Sequence, residues 1–152
     1  MKYKVEVETA EPELIAAVQA NVRIGEIAQA WKPALDQVWR FLVKDGRLRP
    51  RHNLFLYHHP EHRNDPMNID FGVQVAHPFE RDGNVRCVET PAGQVATTVH
   101  VGPYHRLGDA HGAIRAWCAA HNRKIAKASW EIYDDWNSDP ALLETKIKYL
   151  LF

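Results

Sequence analysis

The chain has no excess charge of either sign. Its 152 residues carry 19 Lys and Arg against 19 Asp and Glu, for a formal net charge of zero. A nucleic-acid-binding domain ordinarily shows a basic surplus or a basic stripe, so DNA and RNA are excluded as main partners. Long apolar runs are also missing. None approaches the ~20 residues of a membrane span, which excludes a helical membrane protein. The opening Met1-Lys2-Tyr3-Lys4-Val5-Glu6 has no apolar segment of the signal-peptide kind, so a cytoplasmic location is expected. Cysteine is scarce: Cys87 and Cys118 form no CxxC and read as free thiols packed in a reducing compartment. The glycines build neither a phosphate loop nor a dinucleotide fingerprint, and no cofactor is implied.

With 45% hydrophobic residues, the composition is that of an ordinary globular chain and not of a disordered or fibrous one. The length suits one domain, 1–152, with a core large enough to need no disulfide or metal.

Alternation marks the first strand, with Tyr3, Val5 and Val7 on one side and Lys2, Lys4, Glu6 and Glu8 on the wet side. Leu14 to Val22 reads as a second strand. Ile27, Trp31, Leu35, Val38 and Leu42 then recur at helical spacing, with Asp45-Gly46 as the stop. Pro33 within this pattern either kinks the helix or begins its main part. Strands follow at Asn53–His59 and 68–76, and another begins near Val85. Pro91-Ala92-Gly93 turns the chain into the strand 94–101. Gly102-Pro103 opens a second helix with a buried stripe of Leu107, Ala110, Ile114, Trp117 and Cys118, capped by Asn122. Trp130–Asp135 and the segment containing Thr145, Ile147 and Tyr149 read as the last strands.

The order strand, strand, helix, strand, strand occurs twice, at an offset of about 76–80 residues. Leu14–Val22 matches 94–101, the Trp39 helix matches the Trp117 helix, and Tyr57 matches Tyr133. The expected fold is α+β: a tandem repeat of two strand-helix-strand-strand modules, about 1–79 and 80–152, forming an antiparallel sheet. Both helices are expected on one face, with a ligand cleft at the pseudo-twofold.

Pro91-Ala92-Gly93-Gln94-Val95-Ala96, followed by Val99-His100-Val101-Gly102-Pro103-Tyr104, resembles the "PAG…HxGPY" stretch of GyrI-like effector-binding domains. Trp130-Glu131-Ile132-Tyr133 with Asp139-Pro140 is similar to that family's "EvY…dP" strand and turn. Ile69-Asp70-Phe71-Gly72-Val73-Gln74-Val75 resembles its "DfevgvpV" strand. The resemblance covers nearly the whole chain. It implies the tandem-repeat fold and, from the drug-sensing halves of bacterial transcription activators, multidrug recognition of bulky aromatic cations. Its stand-alone members include a gyrase inhibitor and hydrolases that open cyclopropane-bearing toxins. With a strand already at the first residues, this chain looks like a stand-alone member.

Face parity supplies the candidate site. Trp130 and Ile132 are bulky and apolar and are expected to face a helix, which sends Glu131 and Tyr133 to the cleft side. The repeat adds Phe55 and Tyr57 as their counterparts. The resemblance adds Tyr104, and Trp136 is placed at one end. Aromatic faces beside a carboxylate suit a flat cation, and burial is expected to raise the carboxyl pKa of Glu131.

Other groups read as structural. His58, His59 and His62 do not converge like metal ligands and are expected to be wet, and no metal site is assigned. His100 is expected to make a structural hydrogen bond. Trp31, Trp39 and Trp117 are expected in the core.

The leading function is therefore binding of a small hydrophobic, aromatic and cationic molecule at Glu131, Tyr133, Tyr104, Tyr57, Phe55 and Trp136. The alternative is a hydrolase in which Glu131 activates water and Tyr133 or Tyr57 donates a proton. A gyrase-inhibitor-like interaction module is the third. No pattern speaks to an oligomer. The charge balance predicts that the purified protein does not shift duplex DNA in a gel-retardation assay beyond the non-specific level; salt-sensitive binding at micromolar concentration would contradict it.

Overall fold

A computed structural model describes residues 3–152. Met1 and Lys2, the latter expected on the wet face of the first strand, lie outside the described residues. The architecture is α+β, and the chain divides into two compact units, residues 3–11 with 91–152 and Pro12–Thr90.

In the first unit, β1 (Glu6–Ala10), β6 (Gly93–Val101), β8 (Glu144–Leu151) and β7 (Ile125–Tyr133) lie in that order, all antiparallel. Helix α2 (Leu107–Ala120) packs on this sheet. In the second unit the order is β3 (Asn53–His58), β4 (Met67–Gln74), β2 (Leu14–Val22) and β5 (Arg86–Glu89), again antiparallel, with α1 (Ile27–Lys44) packed on it. The same strand-helix-strand-strand order thus builds both units. Each unit gains a fourth strand from the other half of the sequence: β1 pairs with β6, and β5 with β2. The units are therefore offset from the sequence halves about 1–79 and 80–152.

The α2 core is built by small residues. Ala110, Ile114 and Cys118 are buried against Ala96, Ile147, Tyr149 and Leu151, with Tyr3, Val5 and Val7 packed at the side. Tyr3, Val5 and Val7 thus share one side, as their alternation indicates. Each fully buried aliphatic side chain here contributes about 1.5–3 kcal/mol. Cys87 and Cys118 are free thiols, and burial pushes the Cys118 thiol pKa up.

Helix ends follow local chemistry. Asn122 adopts a left-handed φ of 54°, and Arg123 N–H donates to the Cys118 carbonyl at 2.9 Å, closing α2. Helix α1 runs through Pro33 without ending there. The missing N–H leaves the Gln29 carbonyl without its helical donor, a small cost because both residues are exposed to water.

Three sequence expectations need correction. Strand β7 begins at Ile125, not Trp130, and stops at Tyr133. A register shift against β8 between Ile125 and Ser129 breaks the alternation that would have revealed its start. Trp31 is not a core residue: it is 39% exposed and lies over Phe55 at a ring separation of 6.4 Å. His58 is not simply wet, since its Nε2 lies 2.7 Å from Oδ2 of the buried Asp70, which Arg86 also holds at 3.1 Å. No described helix is long and apolar enough to cross a membrane.

Gly72 sits in the middle of β4 between β3 and β2. A Cβ added there would lie 2.9 Å from the Ala16 carbonyl oxygen and 3.0 Å from Ile15 Cδ1. Gly72→Ala should therefore destabilise the fold by about 1–3 kcal/mol, the usual cost of overpacking. Urea denaturation measures it, and an unchanged midpoint would contradict the packing described.

Candidate functional site

The site grows from the turn that starts α2. Gly102 takes a φ of 140°, a conformation that favours glycine. Buried His100 fixes the turn: its Nε2 is 3.0 Å from the Pro103 carbonyl and its Nδ1 is 2.9 Å from the Tyr3 hydroxyl. The carbonyl accepts only, so Nε2 carries the proton and Nδ1 accepts from Tyr3. This is the structural role expected of His100. The following 3-10 turn, Tyr104–Arg106, presents the Tyr104 ring edge-on to Tyr133, with centroids 5.5 Å apart and planes at 88°.

The β7–β8 pairing decides which face the acid takes. Glu131 lies opposite Ile147, and Tyr133 opposite Thr145, while Trp130 lies opposite Lys148. Ile147 is part of the core beneath α2. Glu131 and Tyr133 do share a face, but it is the helix-bearing face, and Trp130 is buried on the other. The parity argument correctly paired the residues and assigned the pair to the wrong side. It took the helix-facing positions to be the most apolar ones; here that face holds a polar cluster roofed by α2.

His111 supplies that roof. Its Nε2 lies 2.7 Å from Glu131 Oε2, and its Nδ1 lies 2.6 Å from the Tyr149 hydroxyl. Tyr133 donates its hydroxyl to Glu131 Oε1 at 2.5 Å, and Arg115 donates to the Tyr149 oxygen at 3.2 Å. The donors can all point the same way, from Arg115 to Tyr149 to His111 to Glu131. Chains of this kind polarise one another. Glu131 is only 4% exposed, and a donor on each oxygen offsets the cost of taking a carboxylate out of water. Burial raises the Tyr149 phenol pKa above 10.0, opposed by Arg115 and assisted by the charge of Glu131. Burial also raises that of Tyr104.

Glu131, Tyr133 and Tyr104 are thus brought together. Trp136 is 75% exposed on the stretch between β7 and β8, away from any described ring contact. Phe55 and Tyr57 belong to the Pro12–Thr90 unit, where Phe55 packs edge-on against Phe71 at 4.8 Å. His111, Tyr149 and Arg115 escaped the sequence reading as site residues. A signal existed for His111: it stands four residues after Leu107 and three before Ile114, inside the buried stripe, where an imidazole requires a polar partner.

The family model of the GyrI-like small molecule binding domain matches residues 3–150. The chain belongs to that family. No curated protein matches it. Among solved structures, the EcmrR C-terminal domain is similar with a TM-score of 0.83 at 20% identity, covering 100% of this chain and 99% of that one. A hydrolase from Listeria innocua is similar with a TM-score of 0.67 at 12% identity, covering 98% and 92%. The protein SAV2435, solved bound to tetraphenylphosphonium, is similar with a TM-score of 0.65 at 11% identity, covering 100% and 94%. At these identities the likeness is one of fold.

The raised Tyr149 pKa makes an alkaline prediction. The fold favours the neutral phenol, so its contribution is fully present below pH 10 and is lost as pH rises through the higher folded value. Thermal midpoints between pH 8 and 11 should fall less steeply for Tyr149→Phe than for the parent protein. Parallel declines would show that Tyr149 does not carry the effect.

Proposed function

We propose that this GyrI-like domain binds a small, hydrophobic aromatic cation, with Glu131 as the countercharge and Tyr133 and Tyr104 as the ring surfaces. The observation that carries this reading is the Glu131 carboxylate, buried yet held on its two oxygens by a tyrosine hydroxyl and an imidazole, beside a pair of perpendicular tyrosine rings. Aromatic faces attract a cation by about 0.5–2 kcal/mol each, more when water is excluded. Tyr104 stands at the rim, 38% exposed on its 3-10 turn, and a guest reaches Glu131 by displacing that ring. Family membership supports small-molecule binding in general. The ligand of SAV2435, a bulky aromatic cation, is of the class proposed here.

A second reading is kept by the 2.5 Å bond between Tyr133 and Glu131, the geometry of an acid–base pair. There Glu131 activates a water and Tyr133 gives a proton to the opposing oxygen, help worth about 10²–10⁴ in rate.

Calorimetric titration with tetraphenylphosphonium and with neutral triphenylphosphine oxide tests the proposal. Glu131→Gln keeps the shape and removes the charge. It should weaken the cation by about 1.5–3 kcal/mol, the range for a contact to a charged group, and leave the neutral compound nearly unchanged. Tyr133→Ala should weaken both. Equal weakening of both by Glu131→Gln, with an intact circular dichroism spectrum, would remove Glu131 from the site. Turnover of a strained-ring electrophile that Glu131→Gln abolishes would put the hydrolytic reading in its place.

A further inference from the structure

The turn that leads into β5 brings two arginines to one groove. Asp82 and Val85 exchange backbone hydrogen bonds at 3.0 and 2.9 Å, and Gly83 takes a left-handed φ of 58° between them. Arg81 and Arg86 stand just outside this bridge, on opposite arms of the turn. Both line a groove of about 620 Å³ within the Pro12–Thr90 unit. Like charges set across two arms cost stability unless something answers them. Arg86 is answered, because its Nη2 donates to Oδ1 of the buried Asp70 at 3.1 Å. Arg81 has no carboxylate partner among the described residues; its Nε donates to the Gly83 carbonyl at 2.8 Å. One positive charge is thus left over in the groove.

The walls suit the body of a small guest. Helix α1 lends Ala30, Pro33 and Ala34, and β2 lends Val18, just past the end of its pairing with β5 at Ala17. Asn84 Nδ2 donates to Gln37 Oε1 at 3.2 Å, which ties the turn to α1 and sets the width of the opening. Among the described residues, no Asp or Glu lines this groove. The groove on the other side of Arg81 is lined by Asp45, Glu80 and Asp82, so an anion is drawn to the Arg86 side.

We infer that this groove binds a small organic carboxylate with an apolar body. Its oxygens are taken by the Arg81 guanidinium and by the N–H groups that Arg86 does not give to Asp70. Its body lies on the apolar stretch of α1 and Val18. The site is separate from Glu131 and does not depend on how that residue is read.

Titration of the isotope-labelled full chain with benzoate at constant ionic strength, followed through its amide NMR signals, tests this. The amides of Ala30, Ala34, Asn84 and Arg86 should shift together and saturate. Benzamide has the ring without the charge, and acetate has the charge without the ring. Each should bind at least about tenfold more weakly than benzoate. Arg81→Gln removes the charge of an exposed side chain and should weaken benzoate by a similar factor, with the rest of the spectrum unchanged. Arg86 is kept, since its loss would strand the buried Asp70. Ala30→Glu should weaken benzoate more than Ala30→Gln, which fills the same space without charge. Acetate binding as tightly as benzoate would reduce the groove to a surface ion contact and overturn the inference. Unchanged benzoate affinity in Arg81→Gln would overturn it, as would equal effects of the two Ala30 variants. Absence of any saturable shift at these amides up to about 10 mM benzoate would overturn it as well.

Discussion

The hydrogen bond between His111 and Glu131 ties the helix of one unit to the sheet beneath it. A carboxylate removed from water costs several kcal/mol unless its oxygens are satisfied. That cost constrains α2, because the helix has to bring an imidazole to Glu131 while laying Ala110, Ile114 and Cys118 on the sheet. Three small or medium side chains let the helix lie close enough for the 2.7 Å contact. Tyr149 serves both demands, since its ring belongs to the apolar core and its hydroxyl to the polar chain.

The approach to α2 is fixed by a second buried histidine. His100 holds the Tyr3 hydroxyl with one nitrogen and the Pro103 carbonyl with the other, so the segment leading into β1, β6 and the turn at Gly102 are joined through one ring. Tyr104 begins where that ring ends. The aromatic lip and the buried acid are thus held by two separate histidines, one structural and one in contact with the carboxylate. The His-x-Gly-Pro-Tyr run at 100–104 reads as a mechanical unit: an anchor, a glycine for the left-handed backbone, a proline to enter the turn, and a tyrosine at the rim.

Much of this was legible from residues alone. The repeated strand-helix-strand-strand order, the cap at Asn122, the structural role of His100 and the shared face of Glu131 and Tyr133 all follow from local spacing and turn chemistry. Period two reveals which residues share a face but not which face meets the helix, so the side taken by Glu131 was misread. The start of β7 was hidden by its irregular register near Ile125. His111 was overlooked because a stripe search counts apolar residues, and the one polar member of the stripe was the one that touched the acid. The bond between His58 and Asp70 joins positions 12 residues apart on neighbouring strands, a pairing that depends on register. The exchange of β1 and β5 between the two sequence halves is likewise a matter of pairing, which no single-strand pattern encodes.

The most direct measurement is a crystal structure of the protein soaked with tetraphenylphosphonium. The account predicts phenyl rings against Tyr133 and Tyr104, with the phosphonium centre beside the Glu131 carboxylate and Tyr104 moved from its perpendicular contact. A guest bound elsewhere, with the Glu131, His111 and Tyr133 hydrogen bonds undisturbed, would contradict it.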